Sequence, residues 1–188
     1  MAKELSAMTL EELWELFPIT LTEHKTEWAN RYEEMAVVLR EKLSAYQITR
    51  ISHIGSTAIG SIRAKPIVDI LIEMASDENM KAVSEQLSKS GFLKMSESEN
   101  RASFNFGYTP HGFADDVFHL HLRFSGDNDE LYFRDYLNEH SDVALMYEKL
   151  KLSLRHKYEY NRDAYTEAKT EFVKKYTTLA KEQYTNRY

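Results

Sequence analysis

The chain has 188 residues, a hydrophobic fraction of 43% and a formal net charge of −6 at pH 7. The length suits one domain, and the hydrophobic fraction is enough to build a core. The negative charge argues against a protein that holds a long nucleic acid, but a local basic pocket for a small phosphate compound is compatible with it. There are no cysteines, which excludes disulfides and thiolate zinc sites and is typical of a reducing compartment.

No stretch of the sequence is apolar enough for a signal peptide or a membrane span. The N-terminal MAKELSAMTLEELWELF mixes acidic residues with its apolar ones. A span needs roughly 18 consecutive apolar residues, and no segment reaches that length. We therefore expect a cytoplasmic protein with no membrane partner.

Two helices are predicted before the first strand. Thr9 followed by Glu12 has the pattern of a capping box, for a short helix that ends near Pro18. The stretch 22–45 is amphipathic, and its apolar residues recur three or four apart on one face: Trp28, Tyr32, Met35, Leu39 and Leu43. This face is expected to pack into the core.

The region up to residue 125 is predicted to be rich in strands. Four are expected from branched and alternating apolar residues: 48–54, 67–74, 103–108 and 116–124. A helix that starts at Ser76-Asp77 and ends at Gly91 separates the first pair from the second.

The rest of the chain, 129–184, is predicted to be helical. Three helices are expected, over 129–140, 141–160 and 162–181. The chain is therefore predicted to be one α+β domain, in which a small mixed sheet is flanked by an N-terminal helix and a C-terminal helical segment.

Side-chain alternation gathers polar residues on one face of two predicted strands. On the strand 67–74, Asp69 shares a face with Leu71 and Glu73, and the other face is apolar. On the strand 116–124 the non-apolar face carries His119, His121 and Arg123. If both apolar faces enter one core, Asp69 and this row project from the same open side of the sheet. A His-x-His-x-Arg row is unusual for a solvated face and favours a functional site.

The segment between the first two strands, HIGSTAIGSIRAKPIVDIL over 53–71, has features of a phosphate-binding turn. The glycine of Gly55-Ser56-Thr57 lets the backbone approach a phosphate, and the following amides and hydroxyls can donate to its oxygens. Lys65 adds a compact positive charge. Asp69 is placed to hold a divalent metal that bridges phosphate oxygens. His53 is a weaker candidate, since a lone histidine at a strand end is more often structural.

Tyr165 and Lys169, four residues apart in the last predicted helix, are further candidates because they share a face. In one interpretation Lys169 reaches a phosphate while Tyr165 stacks on a base or closes the pocket. In the other, the helix packs on the sheet and its charges are solvated. The sequence by itself does not distinguish between these two interpretations.

Four blocks of the sequence resemble the signature of the GrpB family: HIGSTAIGSIRAKPIVDILI, HLHLRF, FRDYL and NRDAYTEAKTEFV. They occur in the family's order, and the resemblance runs from about residue 28 to about residue 175. The family is similar to the nucleotidyltransferase superfamily, whose fold is that of polymerase beta. The resemblance therefore implies a sheet of nucleotidyltransferase type.

The superfamily pattern is matched only in part. It consists of a Gly-Ser turn, two carboxylates at alternating positions of the next strand, and a third carboxylate on a neighbouring strand. Gly55-Ser56 matches the turn and Asp69 the first carboxylate. The second position is Leu71, which has no metal-binding group, and the third falls near His119 or His121. The standard two-metal mechanism is therefore not expected to apply unchanged.

Three functions are compatible with these residues. The first is metal-assisted nucleotidyl or phosphoryl transfer from a nucleoside triphosphate to a small acceptor. The second is non-catalytic binding of a nucleotide or phosphorylated metabolite, which Leu71 favours. The third is a metal-dependent hydrolase. The catalytic and metal-binding candidates are Asp69, His119 and His121, with Mg²⁺, Mn²⁺ or Zn²⁺ as the cation. The phosphate-binding and nucleotide-binding candidates are Gly55, Ser56, Thr57, Lys65, Arg123, Tyr165 and Lys169.

Overall fold

The computed structural model describes residues 3–188, which form a five-stranded mixed sheet with helices on both faces. The strands are β1 (Ile48–Ile54), β2 (Val68–Met74), β3 (Leu93–Glu97), β4 (Arg101–Thr109) and β5 (Gly112–Phe124). The helices are α1 (Leu10–Leu16), α2 (Glu27–Lys42), α3 (Met80–Lys89), α4 (Asp129–Glu139), α5 (Ser141–Tyr158), α6 (Arg162–Glu167) and α7 (Thr170–Gln183). The predicted α+β class is confirmed.

The strand order is β1-β2-β5-β4-β3, so the two strands with the candidate site residues are neighbours. β2 and β5 run parallel, and the other pairs are antiparallel. In the parallel register Asp69 lies opposite His119, and Leu71 lies opposite His121. Equivalent positions of the two strands therefore face the same side of the sheet, as the alternation predicted.

One face of the sheet supplies the main core. Ile70 and Ile72 of β2 and Leu120 of β5 are fully buried there, against Leu39 of α2 and Leu87 of α3. Burial of each such side chain stabilises the fold by roughly 1.5–3 kcal/mol. The apolar faces predicted for the two strands thus share one core.

The opposite face of the sheet, which was expected to be open, is partly covered. Leu71 is fully buried there with Ile54 of β1 and Leu131 of α4. Glu73 is 1% exposed and accepts a hydrogen bond from the side chain of Asn128, which precedes α4. The expectation of an open face was therefore wrong along this part of β2. The Asp69 end of the strand faces a cavity.

Several element boundaries differ from the prediction. The capping box at Thr9 and Glu12 is present, but α2 begins only at Glu27, because Thr22 pairs with Ala64 in an isolated β-bridge. α3 begins at Met80 rather than near residue 76, since the side chain of Asn79 caps it.

Two further differences concern an unpredicted strand and a broken helix. Strand β3 was missed because all five of its residues are exposed at the sheet edge, which leaves no burial pattern. The helix expected over 162–181 is broken between α6 and α7, where the Lys169 amide donates to the Thr166 carbonyl in a tight turn.

None of the helices formed by residues 3–188 combines the length and the apolar composition that a bilayer crossing requires.

Candidate functional site

A cleft of about 780 Å³ lies between the β2–β5 face of the sheet and the C-terminal helices. Eight of the ten residues predicted for the site line it: Gly55, Ser56, Thr57, Lys65, Asp69, His119, Tyr165 and Lys169. His121 lies behind Asp69 and contacts its carboxylate. Arg123 is separate from this group.

The Asp69 carboxylate is the centre of a hydrogen-bonded group. Its Oδ1 lies 3.2 Å from Nδ1 of His119 and 3.4 Å from Nε2 of His121. Burial would raise the pKa of the Asp69 carboxyl, but the hydrogen bonds from both imidazoles outweigh burial and hold the pKa well below its usual range. Asp69 is therefore ionised at neutral pH.

The contacts of His119 define a directed chain of hydrogen bonds. Because the Asp69 carboxylate accepts from Nδ1–H, Nε2 of the neutral ring is an acceptor, and the Tyr108 hydroxyl donates to it at 2.8 Å. The Tyr108 oxygen in turn accepts from the Arg162 guanidinium at 3.0 Å. Burial lowers the pKa of His119, which keeps the ring neutral as this chain requires.

Gly55 is required by Asp69 itself. Its φ of 73° lies in the region that favours glycine. A Cβ at this position would lie 2.4 Å from Oδ2 of Asp69. The sequence suggested that this glycine lets the backbone approach a phosphate, but the close approach in the structure is to the carboxylate.

Thr57 and His53 hold the turn against the sheet. The Thr57 hydroxyl donates to the Ile67 carbonyl at 3.2 Å and so accepts from Nε2–H of His53 at 2.9 Å. The His53 ring stacks on Tyr32, and burial lowers its pKa to about 4. The Thr57 hydroxyl therefore donates its proton within the protein and not to a ligand. His53 has the structural role that a lone histidine usually has.

The cleft is also lined by lysines around Tyr165, which with Lys151 and Arg162 are called the lysine wall below. The ammonium groups of Lys65 and Lys169 lie 5.7 Å and 4.4 Å from the centre of the Tyr165 ring. Burial, with the nearby Arg162 and Lys169 charges, lowers the pKa of Lys65 to about 7, and burial lowers that of Lys169 to about 8. The Tyr165 ring is 1% exposed and makes cation–π contacts with these two ammonium groups. It is therefore not accessible for stacking on a nucleotide base.

Lys151 is a cleft residue that the sequence reasoning missed. It is 2% exposed, its ammonium donates to the Arg63 carbonyl, and burial lowers its pKa to about 7. The signal was a lysine four residues after Tyr147, on the face of α5 that also buries Val143. A lysine at such a position is unusual, because lysines are almost never fully buried.

Arg123 is 8% exposed and donates to Glu130 at 3.1 Å, with Asp127 at 3.6 Å. Its charge is balanced by these two carboxylates. It lies four residues, about 13 Å, along β5 from His119. Arg123 is not among the residues that line the cleft.

The donor set at Asp69 does not fit a two-metal centre. Leu71 fills the second carboxylate position, and the residue opposite it on β5 is His121. Within residues 3–188, no three or more His, Asp and Glu side chains are arranged to hold a metal ion.

Sequence comparison shows the family of the chain. The family model described as GrpB protein matches residues 18–179, which is most of the chain. The chain belongs to the GrpB family. The glutamate-rich protein GrpB of Alkalihalophilus pseudofirmus is 32% identical over 160 residues, which cover 82% of this chain and 91% of that protein. The YqkA protein of Bacillus subtilis is 30% identical over 173 residues, 88% of this chain and 49% of that protein.

The fold of the chain is similar to that of a solved GrpB protein and, at low identity, to that of solved nucleotidyltransferases. The crystal structure of GrpB from Enterococcus faecalis is similar with a TM-score of 0.75 and 27% identity, and covers 88% of this chain and 99% of that one. A structure of the GLD-2/RNP-8 complex gives a TM-score of 0.54 at 12% identity, over 95% of this chain and 72% of that one. At that identity the likeness shows the fold alone. The predicted nucleotidyltransferase type of sheet is thus confirmed.

Proposed function

We propose that the cleft binds a nucleotide or another small phosphorylated ligand, with its phosphates on the lysine wall. The observation that carries this proposal is the convergence of Lys65, Lys151, Lys169 and Arg162 on one cleft. Holding several like charges together in a partly buried cleft is unfavourable, since each is desolvated and repels the others, and this lowers the pKa of each lysine unless a ligand compensates the charge. A phosphate group supplies that compensation through charge-assisted hydrogen bonds.

The position of the Gly55-Ser56 turn supports a polyphosphate. The turn and Asp69 line one side of the cleft, and Lys65 and Lys169 line the same cavity. The volume of about 780 Å³ lies in the range of small-molecule sites, large enough for a nucleoside triphosphate.

Nucleotidyl or phosphoryl transfer is a second candidate, because Asp69 opens into the same cleft as the turn. In this candidate Asp69 would hold one divalent cation, and an acceptor would lie beside it. Replacing Asp69 by Asn should then abolish pyrophosphate release while the fold persists. A hydrolase built on Asp69, His119 and His121 is disfavoured, because both ring nitrogens of His119 already have hydrogen-bond partners.

Isothermal titration calorimetry with ATP tests the first proposal. Lys151→Met should weaken ATP binding by about 1.5–3 kcal/mol, which is roughly 10-fold to 150-fold, because it removes a hydrogen bond to a charged group. Lys149 lies exposed on the same helix and does not line the cleft, so Lys149→Met is the matched control. Lys169→Met, in the turn before α7, and Lys175→Met, at an exposed position of α7, form a second pair.

Competition with inorganic tripolyphosphate distinguishes binding of the phosphates from binding of the base. If the lysine wall is the binding site, tripolyphosphate should compete with ATP. The proposal is refuted if neither ATP, GTP nor tripolyphosphate binds the wild-type protein at millimolar concentration, or if the two cleft variants bind as their controls do. Circular dichroism melting of each variant shows whether a lost affinity reflects a lost fold.

A further inference from the structure

We infer that the cleft takes its phosphorylated ligand as the free polyanion, with side-chain cations standing where the superfamily pattern places divalent metal ions. This inference rests on the proposed function and names the charge state of the ligand. Three independent features of the cleft lead to it.

The first feature is that hydrocarbon fills the second metal-ligand position. Leu71 is fully buried between Ile54 of β1 and Leu131 of α4. It is therefore a core residue, and the site has neither a carboxylate nor free space at that point. A metal ion there would lie against hydrocarbon, without the oxygen ligands that Mg²⁺ requires.

The second feature is that the groups nearest Asp69 are already engaged with one another. Oδ1 of Asp69 lies within hydrogen-bond distance of both imidazoles. Nδ1 of His119 donates to that oxygen, and its Nε2 accepts from Tyr108. A cation on this set would displace a protonated nitrogen and break the chain that leads to Arg162.

The third feature is the balance of charge. Lys65, Lys151, Lys169 and Arg162 line the cleft, and near them Asp69 and the exposed Asp163 are the acidic residues. When its three lysines are protonated, this wall has a net positive charge, so it attracts a polyphosphate and repels a divalent cation.

The other carboxylates that line the cleft do not change this balance. Each has a basic partner: Asp127 with Arg101 at 2.7 Å, Glu130 with Arg123 at 3.1 Å, and Asp129 with Lys181. These pairs lie towards the far end of β5, around Arg123.

Enzymes with two metals neutralise the phosphates with ions that acidic side chains hold. Here lysines and an arginine carry that positive charge directly. Added Mg²⁺ should then weaken binding, because it neutralises part of the ligand's charge before the ligand reaches the lysines.

Calorimetric titration of ATP into the wild-type protein, in EDTA and again with excess Mg²⁺, tests the inference. We expect binding in EDTA, and several-fold weaker binding with Mg²⁺. Tripolyphosphate in place of ATP should behave in the same way. Binding that requires Mg²⁺ overturns this inference and leaves the proposed function standing. Absence of binding in both conditions overturns the proposed function as well.

Two further measurements address the metal directly. Electron paramagnetic resonance of Mn²⁺ titrated with the protein alone should show only free Mn²⁺ at concentrations up to a millimolar; bound Mn²⁺ contradicts the inference. Asp69→Asn should retain or tighten ATP binding, since it removes a negative charge from the cleft, whereas Lys169→Met should weaken it. Loss of affinity in a folded Asp69→Asn variant contradicts the inference, and a loss confined to the titration with Mg²⁺ would show that the carboxylate holds a cation for the ligand.

Discussion

Binding of a polyphosphate in the cleft should take up protons from solution. The pKa values of Lys65 and Lys151 are lowered to about 7 and that of Lys169 to about 8, in each case chiefly by burial. The charged groups that act on Lys65 are Arg162, Lys169 and Lys151, which lower its pKa, and Asp69, which raises it. A bound phosphate places negative charge beside the ammonium groups and so returns each pKa towards its ordinary value.

The size of the uptake follows from these pKa values. At pH 8, a lysine with a pKa of about 7 is about nine-tenths neutral, and one with a pKa of about 8 is about half neutral. Complete protonation of the three lysines in the complex therefore takes up about two protons at pH 8 and almost none at pH 6. By linkage, the association constant should fall about 100-fold per pH unit near pH 8.

Calorimetry in two buffers of different ionisation enthalpy, such as Tris and HEPES, measures this uptake. The titration at pH 8 uses ATP in EDTA, since the terminal phosphate is then fully ionised and contributes no proton of its own. Lys151→Arg keeps the charge at all accessible pH values, so it should bind ATP and take up about one proton fewer. Equal heats in both buffers, or an affinity independent of pH between 7 and 9, would refute the reasoning.

Three further predictions concern the residues around the turn. Gly55→Ala should lower the free energy of unfolding in urea by more than about 1 kcal/mol. Adding Asp69→Ala should recover part of that loss, because it removes the clashing carboxylate. If the effects of the two substitutions on the free energy of unfolding are strictly additive, the contact is contradicted. The pKa of His53 is about 4 in the folded protein and 6.5 in the unfolded chain. As the pH falls from 6.5 to 4, the unfolded chain therefore binds a proton that the folded protein does not. Wild-type protein should therefore lose about 2–3 kcal/mol more than His53→Gln between pH 7.5 and 4.5, and equal losses would exclude this role. Long-range ¹H–¹⁵N NMR at pH 7 should show His119 as the neutral Nδ1–H tautomer; an Nε2–H signal would mean that the hydrogen-bond chain runs the other way.

The periodicities of the sequence predicted the helices and the two central strands because apolar residues repeat at the spacing that each element buries. The branched run of β2 and the alternation of β5 predicted a shared core, and this core is present. The same alternation placed Asp69, His119 and His121 on one side of the sheet, since the period of two is a property of the strand itself.

The contact of Tyr108 with His119 is not predicted by the alternation of side chains along β4. Regular alternation along β4 would place it on the core face with Phe104 and Phe106. The pairing slips at Gly107, whose φ is 86°, and Tyr108 instead reaches His119. A bulge of this kind depends on the partner strand, so the residue's own neighbours in sequence do not reveal it.

By itself, the sequence determined the fold class, the core faces of β2 and β5 and the turn at Gly55. Only the tertiary structure decided what surrounds Asp69. Lys65, Lys151 and Lys169 belong to three separate segments, and they form one cationic wall because the C-terminal helices fold back over the sheet. Long-range packing of this kind sets burial, and burial sets the charge of each lysine, which no local pattern in the chain encodes.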